Sequence, residues 1–386
     1  MNLSIKSSLQ MSAIKSPLGN IEDNLIRIPK ALRDKYGYHS GTFLQFKSKE
    51  GKPILLQVTH AYKNDTETDS ESAYVSDSTY LLLDISPITI INPAVDILIG
   101  CDPEFFLVDG RSGHNISASH FFPHYGQIGS DGGLAELRPR PSIDVQELTN
   151  NLKTLICEAS NHLKARALYR QNKIDMIASS NNEQVSAGFH IHFGLPKELL
   201  NGSNEAMSIL LKMVYLLDYY IGIPSIIPEG NEDVYRRSAG YNAYGKPTDF
   251  RSDTNTLEYR VPGGHLLRHP VLTIGLFAMC KIVMKDMMSR IGDFTKNFSD
   301  ASCIKRYDVL KEMYPSLPLR GDVHDSITSN SVLRAFTHSQ KIYDDFTKMI
   351  GFKQCEPYIK AYFEYIIEYI SKNKKFNSNM EQNWRS

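Results

Sequence analysis

The period of apolar positions changes several times along this chain, and each change marks a new element. Between 142 and 171, Leu148, Leu152, Leu155, Ile156, Ala159 and Leu163 recur at helical spacing. Ser142 and Asp144 stand where a helix start needs side-chain acceptors, so a long helix is expected there. NEAMSILLKMVYLLDYYIGIP predicts a second long helix. From residue 265 onward the pattern is largely helical, including SVLRAFTHSQKIYDDFTKMI and EPYIKAYFEYIIEYISKN. Shorter apolar runs bounded by Gly and Pro predict strands: ILIGCDPEFFLVDG, LAELRPRP, VSAGFHIHFG and TNTLEYRVPGG. Ahead of these, residues 21–47 read as strand, short helix, turn and strand, and ILLQVTHAY adds a strand before the polar loop KNDTETDSES. INPAVD at 91–96 looks like a junction. The expected architecture is α+β: an antiparallel sheet backed by helices over 96–386, helical toward its C-terminal part, preceded by a small, mainly β domain over 1–95.

Composition narrows the classes. The 386 residues carry 43 Lys+Arg against 43 Asp+Glu, so there is no global basic field of the kind nucleic-acid binding needs. An apolar fraction of 41% is enough for a large core. The five cysteines are an odd number with no CxxC pair, which fits reduced thiols in a cytoplasmic protein. MNLSIKSSLQMSAIKS lacks the long apolar run of a signal peptide, and VLTIGLFAMCKIVM at 271–284 is too short to span a bilayer, so no membrane partner is expected.

Candidate chemistry comes from alternation. Residues i and i+2 of a strand share a face, and four strands each present two polar residues that way: Asp102 and Glu104, Glu136 and Arg138, His190 and His192, Glu258 and Arg260. The intervening Pro103, Leu137, Ile191 and Tyr259 suit a core-facing side. One such pair is ordinarily a solvated ion pair. Four on one sheet face are too costly to desolvate without a compensating ion, and oxygen-rich ligands with an occasional imidazole suit Mg²⁺ or Mn²⁺ better than Zn²⁺. Four carboxylates and two guanidiniums sum to −2, and two divalent ions turn that into +2, a receptor for a polyphosphate. VYRRSAGYNAYGKPTDFRSD adds Arg236, Arg237, Lys246 and Arg251 on a Gly- and Ser-containing loop, where cations could stabilise a transferring phosphoryl group.

These segments resemble a known family. GCDPEFFLVDG is similar to the first metal-binding strand of glutamine synthetase, GFHIHFG to its His-x-His strand and TLEYRVPGG to its late Glu-x-Arg strand, in the same order. The forms DPEFF, DGGLAELRPRP, GFHIHFG and LEYRVPGG most resemble the phage-type amidoligases, the type 2 carboxylate–amine ligases, over roughly residues 96–300. The resemblance implies an ATP-dependent ligase working through an acyl phosphate with two Mg²⁺ or Mn²⁺ ions. It implies that Glu104 and Glu136 hold one ion, and that Asp102, His190 and Glu258 hold the other. It puts His192 near the nucleotide phosphates, Arg251 and Arg260 at the transferring phosphoryl group, and Arg138 at the substrate carboxylate, with Asp131 a further candidate ligand. Arg236, Arg237 and Lys246 would assist nucleotide binding. Asp102 is one methylene shorter than the family's usual Glu. Nothing resembles an ammonia channel, so the implied amine belongs to an amino acid, peptide or protein, and the implied setting is the cytoplasm, the host's if the chain is phage-encoded. RIPKALRDKYGYHSGTFLQF resembles the unit of AbrB-type swapped-hairpin domains. Its mild basic bias implies docking or homo-oligomerisation through the N-terminal domain rather than DNA binding. Three other readings stay open: a phosphotransferase of the guanidino-kinase type, a metal-dependent hydrolase on His190 and His192, and a non-catalytic assembly or DNA-binding protein with a decayed ligase domain.

Overall fold

The computed structural model describes residues 4–7, 25–28, 43–50, 53–59, 72–75, 80–81, 83, 97–170, 173–183, 185–195, 199–230, 235–238, 244–290, 310–329, 331–372 and 377–385. The chain forms two compact units: Met1–Asp96 with Met284–Ala301, and Ile97–Val283 with Ser302–Ser386. The short helix expected between the two strands of 21–47 and, except for Ser72, the polar loop expected at 63–72 lie outside the described residues.

The first unit contains a five-stranded sheet of β1 (Ser4–Ser7), β2 (Leu25–Arg27), β3 (Phe43–Lys47), β4 (Pro53–Thr59) and β5 (Ser72–Val75), in the order β1-β5-β2-β4-β3. Alternating apolar residues give it a core of Ile26, Ile28, Leu44, Phe46, Leu56, Val58, Ala73, Val75 and Leu83.

The second unit is built on β6 (Ile99–Asp109). Around it lie β7 (Asn115–Ile116), β8 (Ile128–Asp131), β9 (Leu134–Leu137), β10 (Ile174–Ile177) and β13 (Phe189–Gly194), with β14 (Phe250–Ser252) and β15 (Thr256–Tyr259) outermost. A separate small ribbon pairs β11 (Asn181–Asn182) with β12 (Val185–Ser186). The main path is β14-β15-β13-β6-β9-β8, and every pairing on it is antiparallel. β6 is long enough to hold β13 against 99–103 and β10 against 106–109 on one edge. Pro103 is tolerated inside it because pairing with β9 begins only at Glu104.

One face of this sheet is apolar throughout. Phe105, Leu137, Phe189, Ile191, Phe193, Leu257 and Tyr259 are fully buried there, each worth roughly 1.5–3 kcal/mol of transfer free energy if aliphatic or Phe. Helices cover that side. They include α1 (Val145–Arg170), whose start is capped by Asp144 Oδ1 accepting from Gln146 N at 2.7 Å and Glu147 N at 3.0 Å. A second helical run comprises α2 (Asn204–Leu217), a π-helical turn at Asp218–Gly222 and α3 (Ile223–Glu229). Ala206–Glu229 is long and apolar enough to cross a bilayer, but 89% of its apolar window is buried inside the protein, as for a core helix. Further along lie α4 (Tyr235–Ser238), α5 (Pro270–Ser289), α6 (Arg320–Thr328), α7 (Val332–Phe346), α8 (Phe352–Ser371) and α9 (Met380–Trp384). Phe277 of α5 meets Phe189 edge-to-face at 5.8 Å.

Candidate functional site

The opposite face of the sheet is polar, and strand register arranges it in rows. His190 lies across from Asp102, and His192 is flanked by Gly100 and Glu258. Glu104 lies across from Glu136, which in turn faces Gly129. Alternation therefore delivers all four i, i+2 pairs to one surface.

Asp102 sits at the junction of the two histidines. Its Oδ1 is 3.2 Å from His190 Nδ1 and its Oδ2 is 3.1 Å from His192 Nε2. Glu258 Oε1 approaches His190 Nδ1 at 3.5 Å and forms an ion pair with Arg260 Nε at 3.2 Å. Burial opposes ionisation of Asp102, yet the imidazoles of His190 and His192 beside it hold its carboxyl well below the usual range. Burial alone would lower the His192 imidazole, but the Asp102 carboxylate raises it. In the next row, burial raises Glu104. Glu136 is pushed up to about 8 by burial and the nearby Asp102 charge, against the pull of Arg138, with which it is ion-paired.

These residues fit a divalent cation. One ligand atom each from Asp102, His190 and Glu258 lies within 4.8 Å of the others, and Asp102 Oδ1 is buried without a hydrogen bond. A hard ion with oxygen ligands and one imidazole matches that donor set. Glu104 and Glu136, in register and both raised, form a second carboxylate pair that a cation would relieve.

The expected cations divide. Arg260 is on the face, held by Glu258 and by Asp249 Oδ1 at 3.5 Å. Arg138 is half-buried beside Glu136 and donates to Gly126 O at 3.0 Å. Arg251 lies on the edge strand β14 rather than in a loop, exposed and across from Glu258. Asp131 and Lys246 are exposed. Arg236 and Arg237 are not brought to the face. Arg236 is fully buried and donates to the carbonyls of Arg260, Val261 and Pro262 at 2.7–3.0 Å. Arg237 is buried with its guanidinium on Glu229, Gly245 O and Val261 O. A loop rich in small residues gives no sign that two of its guanidiniums will be consumed by backbone carbonyls.

Two other residues of that segment reach the site instead. Asp249 binds Arg260 both by its side chain and by accepting Arg260 N at 3.0 Å. Tyr244 lies against His190 with rings at 86° and centroids 5.5 Å apart. Neither belongs to an alternating strand, so periodicity could not find them.

Residues 99–303, slightly more than half of the 386, match the family described as phage phiEco32-like COOH.NH2 ligase-type 2. Among solved structures, a bifunctional glutathione synthetase from Pasteurella multocida is similar at 13% identity and TM-score 0.32, over 70% of this chain and 52% of that one. The complex of the prokaryotic ubiquitin-like protein Pup and its ligase PafA is similar at 9% identity and TM-score 0.37, over 64% of this chain and 65% of that one. A GmaS/ADP complex is similar at 11% identity and TM-score 0.40, over 91% and 98%. The chain thus spans about half of the first and just under two thirds of the second. No curated protein matches it in sequence.

Proposed function

This chain belongs to the phage phiEco32-like COOH.NH2 ligase-type 2 family, ATP-dependent ligases of a carboxylate and an amine, and from that premise we propose that it joins an amino acid to a small molecule, peptide or protein through an acyl phosphate. In the first step a substrate carboxylate oxygen attacks the γ-phosphorus of ATP and ADP leaves. In the second the amine attacks the acyl carbon, phosphate departs, and the nitrogen loses a proton to leave an amide. The convergence of Asp102, His190 and Glu258 carries the reading, because a positioned divalent cation is what phosphoryl transfer from ATP requires.

Asp102, His190 and Glu258 would hold one ion, and Glu104 and Glu136 the other. Bound ions neutralise phosphate charge and orient the γ-phosphoryl group. Arg260, held between Glu258 and Asp249, presents a fixed positive charge beside the first ion's ligands. His192, two residues on along β13, would meet a phosphate oxygen. Arg251, exposed on the edge strand, would turn toward the nucleotide, and Arg138 would take a substrate carboxylate in place of Gly126 O. The free thiols of Cys101, Cys157, Cys280 and Cys355 accord with a cytoplasmic setting.

The test is phosphate release from ATP and Mg²⁺ with pooled amino acids and short peptides, using His190→Ala as the control. Release that needs both a carboxylate and an amine is the expected result. Phosphate retained on an acceptor would replace the ligase by a kinase, and indifference to ATP would end the reading.

A further inference from the structure

We propose that Tyr244 is the positioning residue of the first cation site: its hydroxyl fixes the His190 ring and ties that site to Glu104 of the second. The inference rests on the ligase reading for the identity of the two sites, and on the following geometry for everything else.

The backbone of Tyr244 is anchored by its N–H on Arg236 O at 2.8 Å, and the adjoining Gly245 N donates to Asp249 Oδ2 at 2.8 Å. Its ring is clamped between two guanidiniums, Arg236 at 4.7 Å and Arg260 at 4.8 Å from the centroid. The hydroxyl then lies among His190, Glu104 and Arg260. It contacts His190 Nε2 and donates to Glu104 Oε2 at 3.4 Å. Gly188, across from Glu104, keeps this space open: a Cβ there would come within 2.7 Å of the Tyr244 hydroxyl and also strike the His190 ring. Gly188 N donates to the same Glu104 Oε2 at 2.6 Å.

Proton counting gives the relay a direction. A tyrosine hydroxyl has one hydrogen, and here it goes to a carboxylate that can only accept. With its hydrogen on Glu104 the hydroxyl accepts from His190 Nε2–H, and Nδ1 is then the ring nitrogen turned toward the cation position. Nδ1 is the atom facing Asp102 Oδ1 at 3.2 Å and Glu258 Oε1 at 3.5 Å. With a divalent cation between the two carboxylates, Nδ1 is the nitrogen whose lone pair would meet it. At the other end, two donors converge on Glu104 Oε2, so Oε1 is the oxygen left for the second ion. Arg236 and Arg260 thus serve the site through the tyrosine they hold.

Tyr244→Phe keeps the ring and its two cation contacts and removes only the hydroxyl. Two readouts that do not depend on turnover decide the matter: Mn²⁺ binding followed by the paramagnetic resonance of free Mn²⁺, and the ¹⁵N shifts of the His190 imidazole in the protein loaded with diamagnetic Mg²⁺. We expect Mn²⁺ affinity to fall about 10- to 100-fold in the Phe variant. In the Mg²⁺-loaded unmodified chain the His190 ring should carry its hydrogen on Nε2, with Nδ1 on the ion, and the Phe variant should give a mixture of ring forms. Unchanged Mn²⁺ affinity in a folded Phe variant overturns the proposal and leaves the site standing. So does an unmodified protein with the proton on Nδ1, a readout that holds even if the variant fails to fold. An unmodified protein that binds no Mn²⁺, or a His190→Ala variant that binds as well, removes the underlying ligase reading instead.

Discussion

Asp102 serves two imidazoles with two oxygens, and that division of labour makes the neighbouring ligands individually testable. His190→Ala and Glu258→Gln each remove one donor from the Asp102 cluster while leaving Ile191 and Tyr259 packed on the far side of their strands. Turnover should fall about 100-fold or more in either variant, with a melting temperature within a few degrees of the parent, checked by steady-state assay and calorimetry. Loss of fold in both would mean that the cluster is structural. These residues were legible in the sequence because each stands two positions from a polar partner on a short strand. Arg236 and Arg237 misled for a physical reason. A charged residue in a Gly-containing loop ordinarily points to water, and here the carbonyls of 260–262 and 245 take both guanidiniums inward.

Between strand and helix, the π-helical turn Asp218–Gly222 is the element that holds the rim of the site. Asp218 Oδ1 accepts from Tyr259 OH at 2.9 Å and Oδ2 from Thr248 N at 2.9 Å, so one buried carboxyl pins β15 and the segment carrying Tyr244 and Asp249. Gly222 is required there, since a Cβ would come within 2.9 Å of the Tyr259 hydroxyl. Burial pushes Asp218 up to about 8, with Asp249 adding to the rise and Tyr259, Thr248 and Arg320 opposing it. The sign follows from linkage. Below about pH 4 the group is protonated in both states; above it the unfolded chain ionises while the folded one keeps its proton. Stability should therefore fall between about pH 4 and about pH 8, by at most about 1.4 kcal/mol per pH unit. Asp218→Asn can donate to Tyr259 OH and accept from Thr248 N, so it should keep the fold and flatten that slope. Urea unfolding of both proteins at pH 5 and pH 8 checks it, and equal slopes would refute it. Long helices were predictable from their period, the capped start of α1 especially. β8, β10 and β14 were not, because at three or four residues they lack the Glu-x-Arg pair that marked the equally short β9 and β15.

At the scale of the whole molecule the proposed cation sites belong to the second unit, whose sheet was legible as a set of strands but not in its order. Order depends on pairings between distant segments, such as β13 with both β6 and β15, and no local pattern encodes them. In the first unit β1 was invisible for the same reason, being four residues paired in parallel with β5. Because binding to the folded state alone raises stability, Mn²⁺ at about 100 times its dissociation constant should add about 2.7 kcal/mol. A thermal melt should show the rise in the parent and lose it in His190→Ala; equal rises would place the ion elsewhere. β6 has one further consequence. Asp102 and Glu104 are consecutive outward positions of a single strand, so their backbone anchors stand about 6.6–6.8 Å apart, two strand repeats. The gap between the two charges is thus a ruler cut into the main chain. Loops around the rim can change length and composition without altering it, whereas inserting or deleting one residue between these two would turn one carboxylate into the core. Substrate range can drift while the distance between the charges stays fixed.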